Sequence, residues 1–191
     1  MIPLRRPVDI AALIFGLSDW IRFFEYFLHI SYQLDIKKQA DCDDDRRKVT
    51  TRKELSGKKF ICGMGLLVDQ AKPGGCGTID DGNRASRFFK DPSHSTCISG
   101  VSDMLIRRCA VTLQTLSSGH TVNIEACDQH AKETAGLLVA EYPRYCMPAS
   151  VHKVLLRGAQ VVAEASHPIG QLSEEAQDSL HKQLQACRRV L

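Results

Sequence analysis

SDWIRFFEYFLHISYQL, residues Ser18–Leu34, is the stretch on which the fold turns. Ser18 is a natural N-cap, and Ile21, Phe24, Leu28 and Ile30 follow it at helical spacing as far as Leu34. Trp20, Phe23, Phe24, Tyr26, Phe27 and Tyr32 make the same helix rich in aromatic rings. A lone helix of this kind would leave a large apolar patch in water, so it needs a cover.

Outward from it, helical periodicity dominates and strand-type alternation is nearly absent. Lys37–Lys59 carries nine basic and five acidic residues, a pattern that fits a solvated helix, a linker or a phosphate-facing segment. Lys72–Gly82 (KPGGCGTIDDG) reads as a loop from its Pro and Gly content. It lacks the spacing of a nucleotide-binding P-loop. A short helix is predicted over Asn83–Phe89, then a turn through Asp91–Gly100 and a helix over Val101–Leu116 that stops at Ser117-Ser118-Gly119. The next runs over Ile124–Glu141, capped by Asn123 and ended before Pro143. Pro148 suits the first turn of a helix reaching Ala165, and Ser173 caps a last one toward the C-terminus. The expected fold is mainly α, with about six helices.

Composition sets further bounds. The 191 residues suffice for one domain or a lobe of a larger one, and 43% hydrophobic with 25% charged residues argues against global disorder. The net charge of +3 is mildly basic, compatible with nucleic acid but far from a histone-like excess. Eight cysteines, at 42, 62, 76, 97, 109, 127, 146 and 187, show no CxxC and no companion histidine pair. They read as reduced thiols of an intracellular protein, nuclear or cytoplasmic, several of them packed as small hydrophobes. The apolar run Val8–Ile30 is interrupted by Asp9, Asp19, Arg22 and Glu25, so no membrane span is expected.

Five blocks carry a family resemblance: IRFFEYFLHISYQLDIKK (Ile21–Lys38), MGLLVDQAKPGGCGTIDDGNRASRFF (Met64–Phe89), SSGHTVNIEA (Ser117–Ala126), EYPRYCMPASVHKVLLRGAQVV (Glu141–Val162) and PIGQLSEEAQ (Pro168–Gln177). In order and spacing they resemble the C-terminal region of Transib-type cut-and-paste DNA transposases, relatives of the catalytic subunit of the V(D)J recombinase. The resemblance covers residues 21–182, leaving 1–20 poorly matched and 183–191 as a helix end. It implies the helical C-terminal part of a retroviral-integrase-like (RNase H-like) fold. In complete members two aspartates and a glutamate hold two Mg or Mn ions, and a separate site holds structural Zn.

What the resemblance implies for this chain is partial. The late glutamate corresponds to Glu175, or to its neighbour Glu174, in Ser173–Lys182. Two carboxylates after an N-cap serine also favour a helix N-terminus without any catalysis. The family's two aspartates lie upstream of the matched region, where the only acids here are Asp9 and Asp19. His152 keeps the first position of the zinc pair HKxLxH, but Arg157 stands at the second, and the opposing CxxC is absent. His152 therefore reads as a surface or helix-packing residue, and no metal or other cofactor is expected. Arg84 and Arg87, three apart on the short helix after Gly82-Asn83, are the candidate DNA contacts, or two solvated arginines beside core Phe88 and Phe89. Arg107 and Arg108 read as the polar face of their helix. The resulting expectation is a catalytically incomplete, transposase-derived chain with weak, sequence-independent DNA affinity. The alternative is an interaction module that pairs, through the aromatic helix, with itself or with a full-length transposase.

Overall fold

The computed structural model describes residues 17–34, 43–68, 82–118 and 120–164. Among these there are seven helices and no strand. In chain order they are α1 (Leu17–Gln33), α2 (Asp43–Met64), α3 (Gly82–Lys90), α4 (Pro92–Ser99), α5 (Asp103–Leu116), α6 (Ile124–Glu141) and α7 (Ala149–Glu164). The mainly α expectation holds. No helix among the described residues is long and apolar enough to cross a membrane.

The cover for the aromatic helix comes from the chain itself. α1 packs against α2, α3, α4, α5 and α7. Phe23, Phe24, Phe27 and Ile30 are wholly buried, and Tyr26, Leu28 and Tyr32 nearly so. Phe88 of α3 sits 5.1 Å from the Phe24 ring and 6.0 Å from Phe60 of α2, while Phe89 meets Trp20 edge-on at 5.5 Å. Such offset and edge-to-face pairs add to the hydrophobic gain of burial. The rings of the aromatic helix are thus covered within the fold. The polar tips on α1 are paired too: Trp20 Nε1 donates to Ser117 Oγ (3.3 Å), Tyr26 Oη to the Tyr145 carbonyl (3.2 Å) and Ser31 Oγ to the Ser99 carbonyl (2.6 Å).

The second half of the core is a three-helix layer. α5 buries Leu105, Ile106, Cys109, Leu113 and Leu116, spacings of three and four that put them on one face. α6 and α7 form the most extensive helix pair, and the residues that α6 buries are mostly small, Cys127, Ala131, Thr134 and Ala135 beside Leu138. At Gly158 of α7 the approach is so close that a Cβ would stand 3.0 Å from Leu116 Cδ1.

One segment departs from the sequence reading. Asp91–Gly100 was expected as a turn and contains the eight-residue helix α4. Its start and stop follow from local chemistry. The Asp91 side chain accepts from the His94 amide (3.1 Å), Pro92 occupies the first turn, and Gly100 closes the helix at φ 75° with its amide on the Thr96 carbonyl. The apolar stripe is missing because buried Ser95 and Ser99 take its place, donating at 2.6 Å to the Phe88 and Ser95 carbonyls. The final helix expected after Ser173, with Glu174 and Glu175, lies outside the described residues, as does most of the Lys72–Gly82 loop.

Candidate nucleic-acid interface

From Asp43 onward the mixed-charge stretch lies in α2, a 22-residue helix, while residues 37–42 lie outside the described residues. Three acids, Asp43, Asp44 and Asp45, occupy its first turn, where the helix dipole favours negative charge. They engage two nearby cations: Arg46 pairs with Asp43 at 3.4 Å, and Lys48 with Asp44 at 2.6 Å and Asp45 at 3.4 Å. The Lys48 ammonium is held above its ordinary pKa chiefly by the Asp44 hydrogen bond. Beyond that turn the balance changes. Between Arg46 and Lys59 there are seven cations and one acid, Glu54.

Geometry then separates these cations by use. Lys53 lies over the Tyr32 ring, 5.8 Å from its centroid, which ties α2 to the end of α1. Arg47, Lys58 and Lys59 are exposed and make no hydrogen bond or ion pair among the described residues. Arg47, Arg52 and Lys59 line one groove of α2 beside apolar Leu55 and Ile98 of α4, and exposed Lys58 extends this cationic surface next to Lys59. At about 1.5 Å of rise per residue, Arg47 and Lys59 stand about 18 Å apart along the axis.

The far end of α2 is closed by a hook. Gly65 adopts φ 61°, the left-handed region where glycine carries no Cβ penalty. Its amide donates to the Ile61 carbonyl (2.9 Å) and that of Leu66 to Phe60 (3.0 Å). Leu66 and Val68 are then buried, and the chain folds back far enough for Val68 Cγ2 to lie 3.9 Å from a Cβ built on Gly57. Arg87 of α3 meets this hook: its Nη2 donates to the Met64 carbonyl, one of the acceptors left over at the helix C-terminus. Arg84, one turn earlier on α3, is half-buried and also has a partner. The two arginines predicted as DNA contacts therefore share a helix; Arg87 stays exposed while bonded to Met64, and Arg84 is half-buried.

Elsewhere the predicted site residues stay apart. His152 and Arg157 are both exposed on α7. A guanidinium offers no lone pair to zinc, and among the described residues no three His, Cys, Asp or Glu side chains converge as a metal site would require. Arg107 does lie on the polar face of α5, bound to Asp103 and Ser93. Arg108 does more than the sequence suggested. It reaches α6, donating to Glu133 (2.8 Å), to Thr134 Oγ1 (3.1 Å) and to the His130 carbonyl (3.2 Å).

The five described cysteines, Cys62, Cys97, Cys109, Cys127 and Cys146, are free thiols. Burial pushes the Cys109 and Cys127 thiols up, which favours their protonated form. No protein-family model matches the chain, and no curated protein matches it significantly.

Proposed function

We propose that the chain is a helical, non-catalytic module of Transib-type transposase descent that holds the phosphate backbone of DNA weakly and without sequence preference. The observation that carries the proposal is the exposed cationic face of α2, on which Arg47, Lys58 and Lys59 have no partner among the described residues. Cations spread along a rigid helix suit a polyanion with one charge per about 1.7 Å, and their attraction is read out by counterion release rather than by base identity. Among the described residues no Trp, Tyr or Phe is exposed, so base stacking contributes nothing on this face.

The test is a titration of random-sequence duplex DNA at several salt concentrations. Affinity should fall steeply with salt, and Arg47→Ala/Lys58→Ala/Lys59→Ala should reduce the logarithmic slope by about three, one per lost phosphate contact. Absence of binding at low salt, or an unchanged slope in the triple variant, overturns the proposal. Nicking of plasmid DNA in Mg or Mn would overturn its non-catalytic part.

A further inference from the structure

We infer that Arg87 is a positioning residue for the α2 cationic face and not itself a phosphate contact; the inference rests on the DNA-binding proposal above. A guanidinium free to meet a phosphate would present its forked donors outward. Arg87 is exposed, yet it spends its Nη2 on the Met64 carbonyl, at the negative end of α2, where a cation is most favourable. It also roofs the hook: a Cβ on Gly65 would stand 3.5 Å from the same Nη2.

Two independent features thus act on one junction. Gly65 supplies the backbone turn at φ 61°, and Arg87 supplies the donor that ties that turn to α3. Lys58 and Lys59 lie in the last two turns before the junction, so their direction depends on those turns remaining helical. Releasing the Met64 carbonyl frays that end and disperses the two lysines without removing either. Opening of a helix terminus is local and costs far less than unfolding, so the core need not follow.

The experiment combines amide exchange with DNA titration on the full chain, using a random-sequence duplex as probe. Arg87→Ala should speed exchange of the Gly65 and Leu66 amides about tenfold and lower DNA affinity severalfold, with the salt slope unchanged. Gly65→Ala alters no charge yet strains the same turn, and should reproduce both effects. Lys59→Ala should do the opposite, reducing the slope by about one and leaving the two amides protected. A slope that falls by about one in Arg87→Ala, with exchange unchanged and Gly65→Ala binding normally, would make Arg87 a phosphate contact and overturn the assignment. If the unaltered chain binds no DNA at low salt, the proposed function fails, whatever the exchange shows, and the positioning role falls with it. Failure of the assignment alone leaves the Lys59→Ala result intact.

Discussion

Two glycines inside helices show how differently one substitution acts in different surroundings. Gly136 of α6 is exposed, and a Cβ there would meet nothing within 4 Å. Gly136→Ala should therefore gain the helix-propensity difference of about 1 kcal/mol and raise Tm by about 2–4 °C. Gly158 of α7 gains the same propensity, but its new Cβ would stand 3.0 and 3.3 Å from the two Leu116 methyls. That crowding offsets the gain, so Gly158→Ala should fall short of Gly136→Ala; equal Tm shifts in a thermal melt would refute the contact argument. Arg108 is the other decisive residue at this scale. Loss of its bonds to the His130 carbonyl and Thr134 in Arg108→Ala should cost about 1–2 kcal/mol in urea unfolding. Arg108→Lys should recover only part of this, because an ammonium cannot reproduce the forked donors. Full recovery in the lysine variant would show that charge alone matters there.

Among the elements, α4 depends most openly on its caps. Its eight residues bury two serines and no large hydrophobe, so packing contributes little to holding it helical. Asp91→Ala should cost about 1 kcal/mol by removing the bond to the His94 amide. Gly100→Ala should cost a similar amount for the left-handed φ of 75°. Guanidinium unfolding of both variants checks this, and a midpoint unmoved in either would deny the caps their role. The same helix explains which parts of the fold were legible. α6 could be read to the residue because Asn123 caps it, Pro143 ends it and its apolar positions repeat. α4 carried the caps Asp91-Pro92 and Gly100 but no periodicity, since hydroxyls bonded to carbonyls fill its buried positions. For α2, charge alone left helix and linker equally open; Phe60, and the Gly65 hook beyond the charged run, decide it. The candidate site was legible as a cluster of cations. Which of them are spent internally was not, because Arg87 and Met64 are 23 positions apart in sequence and meet only once Phe88 has packed on Phe60.

At the scale of the whole molecule, a polar tether joins the aromatic half of the core to the connection between α6 and α7. Tyr26 of α1 donates its hydroxyl to the Tyr145 carbonyl in the connection between α6 and α7. Thiol chemistry tests whether the two halves open together. Cys62, Cys97 and Cys146 should react with iodoacetamide in the native protein, whereas Cys109, wholly buried in α5, should react only on global unfolding. Mass-resolved labelling that modifies Cys109 at the rate of the exposed thiols would mean that the layer opens by itself. The tether also sets an alkaline limit. Burial first, with the Cys146 and Cys109 thiols adding to it, pushes the Tyr26 phenol from the ordinary 10.0 up to about 12. A pKa raised in the folded state means that folding retains the proton. The contribution is therefore fully present below pH 10 and is lost as pH rises toward 12. Tyr142 and Tyr145 shift in the same direction, also chiefly through burial, and steepen the limb. Stability measured by urea unfolding should thus stay level to about pH 10 and then fall. Phenolate absorbance should show Tyr26 titrating late. Tyr26→Phe should flatten that limb while lowering stability near neutral pH through the lost bond to Tyr145. An alkaline limb of unchanged steepness in Tyr26→Phe would place the sensitive group elsewhere and leave the tether structural only.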